Sequence, residues 1–306
     1  MRHVLIDNFV FQPKRIGLYW NFLMGLLKNA HTEELIITIC KEITQIATKE
    51  IHREEIFRLN FISLLVFYFR SSNEILACES GNALINIIAN SDKAKELFIK
   101  TGAIDFIVSN LLQFNCSDNL LKISLTLIRN SIYSPLHQNQ FTKSDGIRKL
   151  ISLLENYKMQ SEPVNNLILS TIWRTVNDDN RSAFVNKGPI IELIAEIAIS
   201  KKSSMLLLEK SLGTLIALCC NNEINSLALA ASPSNIISLL SEIITTSRNQ
   251  NLIRFSLLLL VCLSTYEPNK PLILQQQIIP AIVCLEKFGG PLSVPAATIY
   301  HNLVPN

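Results

Sequence analysis

DGIRKLISLL (residues 145–154) reads as a turn followed by a short helix with two adjacent apolar rows. The same wording recurs on both sides of it. GAIDFIVSNLL starts at Gly102, 43 residues before Asp145; GPIIELIAEIA starts at Gly188, 43 after it; ASPSNIISLL starts at Ala231, again 43 on. QIIPAIVCLE follows from Gln277 after 46 residues. Weaker copies begin at Phe57 (FRLNFISLLVF) and Leu18 (LYWNFLMGLL). Self-similarity at a fixed period of this length is the mark of a repeat architecture, so the period matters more than any one helix.

A second, more apolar helix follows each copy: GNALINIIAN (81–90), LKISLTLIRN (121–130), LILSTIWRTV (167–176), SLGTLIALCC (211–220), FSLLLLVCLS (255–264) and AATIYHNLV (296–304). A helix apolar nearly all round is buried on several sides. Short polar stretches such as QFNCSDN and ENYKMQSEP separate the helices and suit caps and turns. A short amphipathic piece precedes the first long helix, as in SDKAKELFIKTG (91–102), SPLHQNQFTKSDG (134–146) and DDNRSAFVNKG (178–188). There Ser91, Asp92 and Asp178 are predicted N-caps, and Gly102, Gly146 and Gly188 are predicted helix-terminating residues.

One short and two long helices in about 43 residues predict an all-α, armadillo-type α-solenoid, a right-handed superhelix of three-helix repeats. Two-helix repeats of about 33–34 residues fit less well, and the long runs lack the period-two alternation of strands. The chain is read as one array over 1–306 with about seven units. Units 1–48 and 49–91 are degenerate, 92–134, 135–179, 180–222 and 223–268 are clear, and 269–306 is the last. Neither end shows a polar outer helix, which predicts a piece of a longer array or self-association through the ends.

Composition agrees with this class and excludes others. Hydrophobic residues make up 48% and charged residues 17%, which rules out a largely disordered chain. Only 9 Gly and 11 Pro argue against hairpin-rich β folds. The net charge of +3 is spread without a basic block, so no nucleic-acid partner is expected. The most apolar runs, 57–69 and 255–264, fall short of the roughly 20 residues that span a bilayer. The seven cysteines, odd in number and without CxxC spacing, read as small buried residues of a reducing compartment. With no signal peptide in view, a cytoplasmic location is expected.

No nucleotide-binding, metalloprotease or nucleophile-elbow motif occurs. His3, His31, His52, His137 and His301 lie far apart, without metal-ligand spacing. The acid pairs Glu33–Glu34, Glu54–Glu55 and Asp178–Asp179 sit at helix edges and suit dipole compensation. No catalytic residue, metal or cofactor is therefore expected. What remains is surface. In three-helix repeats the third helices line a groove, about 10 Å apart. Asn86, Asn130 and Arg174 share one register at steps of 44, followed by Ala217, Val261 and Asn302. An amide offers donor and acceptor to an extended backbone; the plainer reading is a bond to a neighbouring helix. Arg129 and Trp173 stand one residue before column members. Trp173 is weighed towards the core and Arg129 towards neither reading, but both are residue types enriched at binding hot spots.

With the repeats aligned, the chain resembles the armadillo superfamily in QIIPAIVCL and GNALINIIAN. Within it, residues 75–303 look most like the C-terminal repeats of the SmgGDS-type GDP-dissociation stimulators of small GTPases. LTLIRNSIYSPLHQNQFTKSDGIRKLISLL (125–154) carries most of that resemblance, with LSTIWRTV (169–176) and LIRFSLLLLVCL (252–263) in matching order. The resemblance implies a non-enzymatic protein that binds a Rho- or Ras-type GTPase, promotes GDP release or chaperones it, with Asn86, Asn130 and Arg174 in the partner-facing groove. The alternative is a generic armadillo scaffold that holds an extended peptide or a partner protein.

Overall fold

The computed structural model describes residues 13–304 apart from 50, 51, 90, 114, 187 and 201–203. All regular structure among them is helical. The chain divides into two compact units, Met1–Tyr133 and Ser134–Asn306.

Unit 1 opens with a pair, α1 (Pro13–Lys28) and α2 (Glu33–Ile46). Two triplets follow: α3 (Arg53–Arg58), α4 (Phe61–Phe69) and α5 (Glu74–Ile88), then α6 (Asp92–Lys100), α7 (Ala103–Phe106, continued by a π-helical turn, Ile107–Leu111) and α8 (Asp118–Ser131). Unit 2 repeats the order short, long, long. Its helices are α9 (Pro135–Lys143), α10 (Gly146–Glu155) and α11 (Glu162–Thr175); α12 (Arg181–Val185), α13 (Ile190–Ile199) and α14 (Met205–Cys219). They continue with α15 (Glu223–Ala230), α16 (Ile236–Thr246) and α17 (Gln250–Ser264), then α18 (Lys270–Leu274), α19 (Ile279–Phe288) and α20 (Ser293–Leu303).

The third helices are the spine of each unit. In unit 1, α2 packs on α5 and α5 on α8; in unit 2, α11 packs on α14, α14 on α17 and α17 on α20. Each is covered on another side by the second helix of its own repeat, as α4 covers α5 and α13 covers α14. That is why their sequences are apolar nearly all round. Leu84, Ile87 and Ile88 of α5, and Leu212, Leu215 and Leu218 of α14, are fully or almost fully buried. Such burial of interlocking aliphatics is the main stabilising term of a stack whose repeats cannot stand alone.

Starts and ends of helices follow their caps. Ser91, Ser117 and Ser204 accept backbone N–H groups from the first turns of α6, α8 and α14. The N-cap or first residue of one third helix also meets its predecessor: the Asn73 amide donates to Glu33, Ser117 donates to Glu74, and Ser204 donates to Glu162. Gly102 ends its short helix with φ 69°, as predicted. Four other predicted boundaries change. Asp92 is the first residue of α6, which Ser91 caps. Asp178 is no cap; Asn180 precedes α12, and Asp178 pairs with Arg181 at 2.8 Å. Gly146 starts α10 while Asp145 takes the left-handed turn at φ 67°; a Cβ on Gly146 would lie 2.4 Å from the Phe141 ring. Gly188 is not left-handed either; its Cβ would press on Ile151 at 3.0 Å.

Where third helices end, their orphan carbonyls collect donors. At the end of α14, Arg181 Nε donates to Ala217 O at 2.7 Å, Asn225 to Leu218 O at 2.6 Å, and Ser226 Oγ to Cys219 O at 3.1 Å. Asn180 does the same for Thr175 O at 2.7 Å, and Asn269 for Leu263 O at 3.1 Å. Asn180, Asn225 and Asn269 are all buried. They form a corner brace repeated at steps of 45 and 44 residues.

Candidate partner-binding faces

Each third helix leaves one row of side chains outside the core. In unit 1 that row carries a depression of about 430 Å³ between α5 and α8. Cys78, Glu79, Asn82 and Ile85 line it from α5; Asn119, Lys122, Ile123 and Thr126 line it from α8. The two helices come close because Gly81 has no side chain; a Cβ there would lie 2.4 Å from Ile123 Cγ2. Glu79 is engaged by Lys41 of α2 at 3.8 Å. Burial, helped by the carboxylates of Glu74 and Glu79, pushes the Cys78 thiol up to about 11. It stays protonated near neutral pH, so this depression offers hydrogen bonds and shape, not a thiolate nucleophile.

The unit 2 row is built differently. Gly213 of α14 stands nine residues after its N-cap Ser204, one position later in the repeat than Gly81, which stands eight after Asn73. Here the indole of Trp173, from α11, fills the vacancy; a Cβ on Gly213 would lie 2.6 Å from its six-membered ring. Phe255 of α17 meets that indole edge-on, with centroids 6.0 Å apart and planes at 80°. Lys210 Nζ lies 5.6 Å from the ring centroid. Trp173 remains 37% exposed, so its reading as a core residue is corrected: the missing side chain of Gly213 lets the indole pack against the neighbouring helix while part of it stays open to solvent. Arg174 and Arg254, next to Trp173 and Phe255 in sequence, are exposed.

The column residues have different surroundings. Asn86 is half-buried and its amide donates to Thr44 O of α2 at 2.8 Å. Asn302 is half-buried and donates to Ser264 Oγ of α17 at 3.0 Å. Both amides brace the preceding third helix. Arg129 and Asn130 are half-buried and Arg174 is exposed, and among the described residues their side chains make no hydrogen bond or ion pair. Ala217 and Val261 hold the register in α14 and α17 without a polar side chain. Sequence reasoning missed Asn82, Lys122, Lys210 and Phe255. The available signal was one turn upstream: Asn82, Thr126 and Gly213 each stand four residues before a column position.

Among the described residues no group of three His, Cys, Asp or Glu could hold a metal ion, and no helix is long and apolar enough to cross a membrane. The cysteines are free, but only Cys40 and Cys219 are buried; Cys78, Cys116, Cys220 and Cys262 are half-buried on or beside third helices, and Cys284 is exposed. The expectation of buried thiols holds for Cys40 and Cys219; Cys78 and Cys262 lie on the outward rows of third helices, and Cys284 on the exposed side of a second helix.

The stacked third helices define a helical-repeat solenoid. Comparison with solved structures narrows the class. An engineered protein matches with a TM-score of 0.79 at 14% identity, over 92% of this chain and 68% of that one. A designed armadillo repeat protein matches with a TM-score of 0.68 at 16% identity, over 79% of this chain and 98% of that one. A structure concerning a phosphorylation switch in the interaction between cadherin and β-catenin matches at 0.78 and 18% identity, over 95% of this chain and 62% of that one. The fold is an armadillo-like, all-α solenoid. No protein-family model and no curated protein matches the chain.

Proposed function

We propose that this chain is a non-enzymatic armadillo scaffold, cytoplasmic, that holds a partner protein or an extended peptide on the outward rows of its third helices. The sequence repeats of 1–306 serve as one array in this reading, and no nucleic acid takes part. Its support is one observation: rigid stacked helices leave polar and aromatic rows with spare hydrogen-bonding capacity, Asn82, Lys122 and Thr126 in unit 1, Trp173, Arg174 and Lys210 in unit 2. Arg129 and Asn130 belong to the same surface, while Asn86 and Asn302 contribute chiefly by fixing its helices. Exposed apolar side chains near the ends, Leu18 and Phe22 on α1 and Phe288 and Val294 beside or on α20, suit end-to-end self-association.

The test is charge reversal on the rows. Lys122→Glu and Arg174→Glu should each weaken an identified partner at least tenfold with unchanged melting, and Glu192→Lys on exposed α13 should not. Equal binding by all three variants refutes the assignment of this surface.

A narrower reading within the same class is a regulator of a Rho- or Ras-type GTPase. It rests on the resemblance of residues 125–154 and on Asn130 having no partner among the described residues. Exchange would then follow from tighter binding to the nucleotide-free GTPase, which lowers nucleotide affinity by linkage. Release of labelled GDP from a panel of Rho and Ras proteins decides it; no acceleration and no complex removes this reading and leaves the scaffold.

A further inference from the structure

Unit 2 concentrates hydrogen-bond donors on one face. Lys210 Nζ lies 5.6 Å from the centroid of the half-exposed Trp173 ring, and exposed Arg174 and Arg254 stand next in sequence to Trp173 and to Phe255, which meets the ring edge-on. None of the three forms an ion pair with a described residue, and neither does the indole N–H donate to one. Guanidinium, ammonium and indole N–H groups only donate. Glu209, next to Lys210, is the acidic residue closest in sequence to this cluster, and it leaves the cluster with net positive charge. The indole itself is pre-placed: Gly213 lies beneath it and Phe255 against its edge, so little side-chain freedom remains to be lost on binding.

A face of donors with one anchored aromatic wants a partner rich in acceptors and negative charge. We propose that this face binds an acidic, extended stretch of polypeptide, its carboxylates meeting Arg174, Lys210 and Arg254 and one of its residues packing on the exposed part of Trp173. The inference rests on the scaffold reading above and names the chemistry of its partner. Three consecutive third helices about 10 Å apart span about 20 Å, which an extended chain covers with about six residues at ~3.4 Å each. Nucleic acid is the other anionic candidate. It fits less well, because strand binding without sequence preference uses a continuous basic track and successive aromatic platforms. Here the +3 net charge is dispersed and Trp173 is the single tryptophan of unit 2.

The chain contains its own reporter. It has two tryptophans, and Trp20 is 0% exposed, so acrylamide quenching of the full chain reads Trp173. Four probes are titrated: a capped peptide alternating Glu and Ser, its Gln counterpart, a Gln-based peptide carrying phosphoserines, and oligo-dT. The expected result is that the Glu peptide shields Trp173, at least tenfold more tightly than the Gln peptide, with affinity falling as salt rises. Arg174→Gln combined with Lys210→Gln should weaken it tenfold or more while circular dichroism and the melting curve stay unchanged. The phosphoserine peptide separates phosphate from carboxylate as the source of charge; binding by it alone overturns the carboxylate assignment. Equal binding of the Gln peptide overturns the inference and preserves the scaffold reading. Tighter binding of oligo-dT overturns both. Glu-peptide binding that the double variant leaves unchanged overturns the placement on this face.

Discussion

Each unit places a glycine near the middle of a third helix, one repeat position apart, and the two are used in opposite ways. At Gly81 the vacancy is taken by buried neighbours, Ile123 and Phe69, and the surface above it is a polar depression. At Gly213 the vacancy is taken by a tryptophan that stays open to solvent. The first unit uses close approach to tighten its core, and the second uses it to present an aromatic. The difference teaches that a missing side chain in a third helix has no fixed role; what fills the gap is decided by which neighbour carries the large side chain.

The strongest way to sharpen that contrast is to refill the vacancy in unit 1. Gly81→Val should destabilise unit 1 by ~2–3 kcal/mol through overpacking, because its Cβ alone would already sit 2.4 Å from Ile123. Near-ultraviolet dichroism and emission of Trp20, which lies in unit 1, should show an earlier melt, with Trp173 reporting unit 2 separately. An unchanged melt would mean that α5 and α8 can slide apart freely.

Next in size is the corner brace of unit 2. Asn225→Ala leaves the buried Leu218 O without its donor, whereas after Asn269→Ala the Leu263 O still accepts from Tyr266 N at 3.3 Å. The first should cost ~1–3 kcal/mol and the second less, read as a lower midpoint in urea with Trp173 as probe. A neutral result would show that water replaces the amide.

At the corner before α3, unit 1 uses a histidine where unit 2 uses these asparagines. Buried His52 accepts from Trp20 Nε1 through Nδ1 at 3.1 Å, and its Nε2 has no partner among the described residues. Burial, with Lys49 nearby, lowers its pKa in the folded state. The unfolded chain therefore takes up the proton first. The stabilising contribution is complete above the unfolded value of ~6.5 and is lost as pH falls from there through the lowered folded value, with a slope of at most ~1.4 kcal/mol per pH unit. Unit 1 should weaken between pH 7 and 5 more than unit 2, and His52→Gln should flatten the difference. Parallel pH profiles for the two tryptophans would break the comparison.

The smallest expected effect lies at Gly213. Gly213→Ala should change stability by no more than ~1 kcal/mol, since the helix propensity gained by alanine offsets the loss of indole packing. Emission of Trp173 should nevertheless shift to the red and become easier to quench as the ring lifts. No spectral change would place the indole elsewhere than on α14.

Much of the fold was legible because it is written repeatedly. The 43-residue period and the contrast between amphipathic second helices and all-round apolar third helices need no long-range information. The column register was legible for the same reason, but what its members touch was not. The Asn86 amide is spent on Thr44 O, a backbone group 42 residues away whose availability no side-chain pattern announces. Trp173 looked like core because a large aromatic in an apolar helix is usually buried; its exposure depends on a missing Cβ in the next repeat. The corner asparagines Asn180, Asn225 and Asn269 were hidden inside polar stretches that read as ordinary turns.

The contacts at the N-terminal edge of three third helices have a consequence for any ligand. Asn73 on Glu33, Ser117 on Glu74 and Ser204 on Glu162 tie the starting levels of α5, α8 and α14 to those of α2, α5 and α11. They act as a ruler's graduations: helices that could otherwise glide along their axes are held to one offset per repeat. A peptide lying across several repeats meets its contacts at that fixed stride. Loosening one graduation, as Ser204→Ala would, shifts the stride for every contact beyond it.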